Sequence, residues 1–223
     1  MINPLARRGQ RQAVAAISDN EEMLILASQS PRRSELLTQI GIPFIVHPAH
    51  IAEDILKGED AEIYVARLAR EKALAVYWER SLRGNNGRSG AEVDENSLVV
   101  LGADTTVTVD DQILGKPTSS ADAARMLALL SGRMHRVLTG VALVAADSVQ
   151  VEVESTAVQF CALSAQEIDS YIATGEPLDK AGAYAIQGLA ARWIPRIEGC
   201  YFNVVGLPVA RVCRMLDSRQ RAT

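Results

Sequence analysis

The sequence predicts an α/β protein in which helices flank a mixed β-sheet. Short apolar runs typical of buried strands alternate with longer segments whose apolar residues recur at helical spacing. A β-hairpin signal interrupts this alternation, so we expect antiparallel as well as parallel strands. Of the 223 residues 48% are hydrophobic, which is enough to build a substantial core.

The first predicted unit is a strand, a tight turn and a helix. The apolar run at residues 23–27 is typical of a buried strand. Ser30 then has the profile of a helix N-cap, and Pro31 stands at the first helical position. Gly41 is placed to end the helix, and Pro43 prevents it from resuming.

Two arginines stand in the first turn of this helix. Arg32 and Arg33 are cations at the positive end of the helix dipole, where their charge is unfavourable. The free N–H groups of a helix N-terminus bind anions, and guanidinium groups match phosphate oxygens in bidentate geometry. The turn is therefore interpreted as a polyphosphate site, with an ordinary solvated turn as the alternative.

The next elements follow from periodicity and turn residues. Residues 44–46 are predicted as a strand, 47–54 as a loop, and 61–79 as an amphipathic helix. A buried strand is expected at 97–102, ending at Asp104, followed by a hairpin over 106–114 with Asp110 and Asp111 at its turn. The predicted helix at 120–130 has its apolar residues on one face.

The last third of the chain continues the same pattern. Strands are predicted at 136–145 and 150–163, and again at 201–207. Ser164 opens a helix that ends near Gly175, because Ser164 and Glu167 fit the capping-box pattern. A final helix is expected at 209–216.

The domain organisation follows from composition. Residues 1–22 are predicted to be a loosely ordered N-terminal extension, residues 23–217 a single domain and residues 218–223 a C-terminal tail. The stretch 81–96 is rich in Gly, Asn, Ser and charge, which predicts a mobile surface loop. No run approaches the roughly 18 apolar residues of a membrane span, so we expect no membrane association.

Composition also excludes several classes of function. A formal net charge of −4 argues against a general nucleic-acid binder. Three cysteines without Cys-x-x-Cys spacing predict a reducing, cytoplasmic setting. No P-loop and no Gly-x-Ser-x-Gly elbow is present, and the three histidines lack metal-ligand spacing, which predicts structural or surface roles for them.

Further polar residues are expected to terminate apolar elements. Asp104 follows a predicted strand, Lys116 follows the hairpin, and Gln187 lies beside a glycine in a run of small residues. Ligands of open α/β sheets bind beyond the carboxyl ends of strands. Cations there can neutralise phosphates, and a carboxylate can hold Mg²⁺ or orient water, which indicates phosphoryl transfer or phosphoanhydride hydrolysis. Each residue taken alone is equally an ordinary turn or surface residue.

Together these segments resemble the Maf family of nucleoside triphosphate pyrophosphatases. The resemblance covers roughly residues 23 to 217, and its specificity comes from the ordered co-occurrence of six short motifs. These are Ala27-Ser-Gln-Ser-Pro-Arg-Arg-Ser-Glu-Leu-Leu37, Ala69-Arg-Glu-Lys-Ala73, Gly102-Ala-Asp-Thr105, Gly115-Lys-Pro117, Asp179-Lys-Ala-Gly-Ala-Tyr-Ala-Ile-Gln-Gly188 and Val205-Gly-Leu-Pro208. The resemblance implies two lobes around a central cleft.

The resemblance also implies a site. Catalytic roles fall to Asp104, as the base, and to Glu53, Lys116 and Lys72. Substrate-binding roles fall to Ser30, Arg32, Arg33, Thr105 and Gln187. A divalent cation, Mg²⁺ or Mn²⁺, would be associated with Glu53 and Asp104.

The resemblance implies hydrolysis of a nucleoside triphosphate to the monophosphate and pyrophosphate, and a homodimer is compatible with it. Arg33, Thr105 and Gln187 match the branch acting on dTTP and UTP, and the Gln187 amide can both donate to and accept from a pyrimidine edge. One alternative is the branch that prefers 7-methyl-GTP, which has an acidic residue where Gln187 stands. The other is a regulatory binder that inhibits septum formation.

Overall fold

A computed structural model describes residues 23–84 and 98–221 as one seven-stranded sheet with helices packed against it. The strands are β1 (Met23–Leu26), β2 (Ile45–Val46), β3 (Leu98–Val109), β4 (Gln112–Leu114), β5 (Met134–Val144), β6 (Val149–Gln159) and β7 (Arg196–Glu198). The helices are α1 (Pro31–Gln39), α2 (Ala61–Gly84), α3 (Ser120–Leu130), α4 (Ala165–Ile172), α5 (Tyr201–Val205) and α6 (Val209–Gln220). Short 3₁₀ turns lie at Glu176–Asp179, Ala181–Ala183 and Leu189–Trp193.

The sheet is mixed, as predicted. Its strand order is β2-β1-β3-β5-β6-β7, with β4 paired to β3 outside this path. The pairs β1/β2 and β1/β3 are parallel, whereas β3/β4, β3/β5, β5/β6 and β6/β7 are antiparallel. The prediction of an α/β fold with a mixed sheet flanked by helices is therefore confirmed.

Local sequence signals determine several of these elements. Asp110 and Asp111 both have positive φ, 49° and 61°, which is the geometry of a two-residue hairpin turn between β3 and β4. Ser164 accepts a hydrogen bond from the Glu167 N–H, and the Glu167 side chain accepts one from the Ser164 N–H. The predicted hairpin and the predicted capping box are both confirmed.

Helix α2 lies unusually close to the centre of the sheet. A Cβ atom on Gly102 of β3 would lie 2.1 Å from the Ala69 carbonyl oxygen, and one on Gly140 of β5 would lie 2.2 Å from that of Val65. Only glycine permits this approach of backbone to backbone. It brings the inner face of α2, including Lys72, onto the middle of β3.

Several predicted elements are wrong in type or extent, and among them the strand predicted to end at residue 163 ends at Gln159. Residues 201–207 were predicted as a strand, but Tyr201–Val205 is a helix because the N–H groups of Gly206 and Leu207 both donate to the Phe202 carbonyl at 3.0 Å. Helix α2 runs to Gly84, so the first residues of the predicted loop 81–96 are helical. Helix α6 ends at Gln220 rather than at residue 216.

Asp104 also differs from its predicted position. It lies inside the twelve-residue strand β3, opposite Gly140 of β5, and not after the end of a strand. The predicted extension 1–22 and the rest of the predicted loop, 85–96, lie outside the described residues. Over the described ranges, no helix is both long enough and apolar enough to cross a bilayer.

Candidate active site

The turn between β1 and α1 forms one wall of an open cleft. Ser30 is the N-cap of α1, with extended backbone angles, and its side chain makes no capping hydrogen bond. Its own N–H donates to Ser28 Oγ at 3.2 Å. The first turn of α1 is thus without a side-chain cap, and its N–H groups can serve an anion instead.

Arg33 is buried and donates hydrogen bonds to three separate segments of the chain. Its Nε donates to the Gly206 carbonyl at 2.9 Å, its Nη1 to Ser28 Oγ at 2.9 Å and its Nη2 to Thr105 Oγ1 at 3.1 Å. Burial lowers the pKa of Arg33, and the attraction of Asp104, which acts in the opposite direction, offsets this only in part. Arg33 therefore joins the β1–α1 turn to β3 and to the end of α5, while still lining the cleft.

Arg32 is more exposed and is paired with Asp179. Its Nη1 donates to Asp179 Oδ2 at 3.2 Å, and Asp179 also accepts from Lys180 Nζ at 2.5 Å. The Arg32 side chain is 23% exposed and that of Asp179 is 63% exposed. An incoming phosphate can therefore compete with Asp179 for this guanidinium group.

Lys72 connects the two predicted catalytic carboxylates. Its Nζ lies 2.6 Å from Asp104 Oδ1 and 2.6 Å from Glu53 Oε1. Lys72 and Asp104 are buried, whereas the Glu53 side chain, on the loop before α2, is half exposed. Tyr64 holds that loop by donating its hydroxyl hydrogen to the Glu53 carbonyl at 2.9 Å.

The two carboxylates have pKa values displaced in opposite directions. Burial raises the pKa of Asp104, and the nearby charges of Lys72 and Arg33 offset this only in part. Partial burial also tends to raise the pKa of Glu53. The hydrogen bond from Lys72 and the positive charges of Lys72, Lys116 and Arg33 outweigh this effect, so the pKa of Glu53 is lowered overall. Pairs of titratable groups with divergent pKa values are typical of acid–base sites.

Two adjoining cavities share this region. The larger, about 680 Å³, is lined by the β1–α1 turn and by Glu53, Lys72 and Asp104. The smaller, about 70 Å³, extends from it between β3, β5 and the segment after Lys180. The residues common to both are Arg32, Arg33, Lys116 and Asp179.

The smaller cavity contains the predicted base-contacting residues. Thr105 lines its floor and is hydrogen-bonded through Oγ1 to Thr139 Oγ1 at 2.9 Å. Gln187 is exposed at its rim, and Tyr184 and Val205 contribute apolar wall. A partly apolar recess beside a cationic cleft offers one surface to an apolar ring and another to an anion, as a ligand with both parts requires.

Glu53 and Asp104 supply the carboxylate oxygens that a divalent cation would need in this cleft. Among residues 23–84 and 98–221, no cluster of three or more His, Cys, Asp or Glu side chains could hold a metal ion. The carboxylates of Glu53 and Asp104 nevertheless lie close together, because both contact Lys72 Nζ. Mg²⁺ commonly takes one or two carboxylates together with waters and substrate phosphates, so these residues fit a cation shared with substrate.

All nine predicted site residues line one or both cavities, with Ser30 in the larger and Gln187 and Thr105 in the smaller. Ser28, Asp179 and His50 also line the larger cavity, although the sequence predicted no site role for Ser28 or Asp179 and only a structural or surface role for His50. Ser28 and Asp179 belong to the short motifs that carry the family resemblance, and this membership could have indicated a place in the site. His50 gave none, because an isolated exposed histidine has no distinguishing pattern.

Known proteins with similar sequences agree with one another in family and in name. A family model described as "Maf-like protein" matches residues 23–219. A dTTP/UTP pyrophosphatase of Koribacter versatilis is 51% identical over 193 residues, covering 86% of this chain and 92% of that one. Proteins of the same name from Pseudoalteromonas atlantica and Symbiobacterium thermophilum are 48% and 49% identical over 195 residues. Each match covers 87% of this chain, and respectively 96% and 93% of the relative.

Proposed function

The chain belongs to the Maf family, and from this we propose that it hydrolyses dTTP and UTP to the nucleoside monophosphate and pyrophosphate. Its similarity to three proteins named dTTP/UTP pyrophosphatase supports the reaction and the substrates. The observation that carries the proposal is the convergence of Lys72, Asp104 and Glu53 beside the uncapped end of α1.

The triphosphate is proposed to lie in the larger cavity. The first-turn N–H groups of α1, with Arg32 and Lys116, would neutralise its charge. Because Arg32 and Lys116 also border the smaller cavity, the base would enter that cavity when the phosphates occupy the cleft. In this placement the bond between the first and second phosphates would lie near Asp104, which lines the larger cavity.

Asp104 is proposed as the general base. Its carboxylate would accept one proton from a water molecule while the water oxygen forms a bond to phosphorus. The phosphoanhydride bond then breaks, and its electron pair leaves on pyrophosphate. Lys72 holds the Asp104 carboxylate in place and supplies positive charge beside the reacting phosphate.

Glu53 and Asp104 are the proposed ligands of Mg²⁺ or Mn²⁺. When bound, the cation would act as a Lewis acid toward the phosphate oxygens. Tyr64 keeps the Glu53 loop against α2 and so maintains the distance between the two carboxylates.

Gln187 and Thr105 are the proposed base-reading groups. An amide can donate to and accept from the edge of thymine or uracil, whereas the alternative, a 7-methyl-GTP-preferring enzyme, would require a larger purine to fit. The similarity to three proteins named dTTP/UTP pyrophosphatase supports the pyrimidine assignment.

The test is release of pyrophosphate from dTTP, UTP, CTP, 7-methyl-GTP and the common purine triphosphates, with Mg²⁺, with Mn²⁺ and with EDTA. Turnover of dTTP and UTP above the others is expected, with loss in EDTA. Preference for 7-methyl-GTP would overturn the substrate assignment. Unchanged turnover in EDTA would overturn the proposed requirement for a divalent cation. No hydrolysis of any substrate would contradict the proposed reaction.

A further inference from the structure

The residue proposed to read the base is carried by a short turn. The Gly188 N–H donates to the Ala185 carbonyl at 3.1 Å, which closes a turn around Ile186 and Gln187. Gln187 is exposed and belongs to no helix or strand. The position of its amide therefore depends on what holds the two ends of this turn.

Two side chains hold those ends. The Ala185 N–H donates to the Tyr171 hydroxyl oxygen at 3.1 Å. The Leu189 N–H donates to Glu176, at 3.0 Å to Oε1 and 3.2 Å to Oε2. The Tyr171 hydroxyl in turn donates to Glu176 Oε1 at 2.8 Å, so a continuous hydrogen-bonded chain joins one end of the turn to the other.

The turn also lies directly on the Glu176 carboxylate. A Cβ atom on Gly188 would lie 2.3 Å from Glu176 Oε1, so only glycine fits there without displacing one of the two. The absence of a Cβ at Gly188 lets the backbone approach Glu176, and a larger residue there would displace the carboxylate from the turn.

Tyr171 is itself fixed in position. It is buried at the end of α4, and its ring packs edge-on against Trp193 with centroids 5.2 Å apart. Burial and the bond to Glu176 raise its pKa, so the hydroxyl stays protonated and keeps donating at neutral pH. Neither Tyr171 nor Glu176 lines either cavity of the candidate site.

We infer that Tyr171 and Glu176 are specificity-positioning residues that hold the Ala185–Leu189 turn so that Gln187 faces the base. The inference rests on the proposed function, because it assumes that Gln187 reads the base. Hydrogen-bond discrimination requires placement within a fraction of an ångström, and an unanchored turn samples other positions.

The experiment compares UTP with CTP, which differ only at the base edge. Tyr171→Phe removes the hydroxyl, and Glu176→Ala removes the carboxylate. We expect KM for UTP to rise about 5–30-fold, as for loss of one or two hydrogen bonds, with kcat nearly unchanged and KM for CTP unaffected. Glu176→Gln keeps one acceptor oxygen and is expected to restore most of the preference for UTP.

Matched controls separate this effect from general destabilisation. Tyr77→Phe removes the hydroxyl of another buried tyrosine, on α2, and Glu152→Ala removes a carboxylate that pairs with Arg211. Neither residue lines the site, and both variants should keep the wild-type ratio of UTP to CTP. Hydrogen exchange at the Ala185 and Leu189 amides gives a readout independent of activity, and faster exchange is expected in Tyr171→Phe and Glu176→Ala.

The outcomes are distinguishable. A wild-type protein inactive on UTP contradicts the proposed function, and the exchange measurement still tests the anchoring. If Gln187→Ala loses the preference for UTP but Tyr171→Phe and Glu176→Ala keep it, the inference is overturned and the function stands. Equal losses for UTP and CTP, or unchanged amide exchange, would also overturn it. If Glu176→Ala does not fold, Tyr171→Phe still tests the loss of preference for UTP, and Glu176→Gln remains the variant expected to keep most of it.

Discussion

The ammonium group of Lys72 lies 2.6 Å from the carboxylate of Asp104, and both groups are buried. They come from different elements, α2 and β3, and meet because glycines on β3 and β5 allow the helix to approach the sheet. The same nitrogen contacts Glu53 on a third segment. The chemistry of the site therefore depends on the packing of α2.

Asp104→Asn is expected to lower kcat for dTTP by about 10²–10⁴-fold, because the amide cannot accept the proton of the attacking water. KM should change little, since binding of the phosphates is assigned to Arg32, Lys116 and the first-turn N–H groups of α1, and the amide of Asn keeps an acceptor oxygen beside Lys72. Steady-state release of pyrophosphate measures both. The exposed, ion-paired Asp147 offers a control in Asp147→Asn, and substantial activity in Asp104→Asn would exclude Asp104 as the base.

Gly102→Ala is expected to destabilise the fold by about 1–3 kcal/mol, because its Cβ would overlap the Ala69 carbonyl oxygen at 2.1 Å. Moving α2 outward would also separate Lys72 from Asp104 and lower kcat. Denaturant unfolding and activity assays give the two effects. Gly115→Ala is the matched control, because a Cβ there meets nothing within 4 Å; equal stability of the two variants would contradict the close-packing explanation.

Asp179→Asn is expected to lower KM for the triphosphate by about 2–5-fold, the range for loss of an exposed ion pair. The substitution frees Arg32 from its 3.2 Å contact and removes a negative charge from the phosphate cleft. Initial rates at low and high salt measure the effect, which should diminish as salt screens the charge. A higher KM would show that Asp179 assists binding instead of competing with the phosphates.

His135 is expected to make the protein less stable in acid. Its Nε2 lies 2.8 Å from the Tyr184 hydroxyl, and burial lowers its pKa from 6.5 to about 4. The unfolded state therefore binds a proton before the folded state does, and stability present above pH 6.5 is lost as the pH falls from 6.5 toward 4. The loss from this residue is about 3 kcal/mol.

Denaturant unfolding at several pH values measures this contribution. His135→Phe should flatten the dependence between pH 6.5 and 4, even if it lowers stability at pH 7. The control His50→Gln, at an exposed histidine, should retain the wild-type slope. An unaltered slope in His135→Phe would assign the acid sensitivity to other groups.

Local patterns in the sequence were sufficient for most elements. The β1–turn–α1 unit, the Asp110-Asp111 hairpin and the capping box at Ser164 depend on residues that are neighbours in the chain, and each was predicted. The error at Tyr201–Val205 has a tertiary cause. Its β-branched and aromatic residues favour a strand, but Asn203 is buried in this helix, and its Nδ2 donates to the Val137 carbonyl and to Thr156 Oγ1.

By itself the sequence determined the fold class, the inventory of phosphate-binding and acid–base side chains, and their resemblance to a family through ordered motifs. Only the tertiary structure decided that Asp104 lies inside a strand, that Lys72 joins it to Glu53, and that Tyr171 and Glu176 hold the Gln187 turn. These relationships join groups far apart in sequence. Their distances and pKa directions arise from packing and burial, which no local spacing of residues encodes.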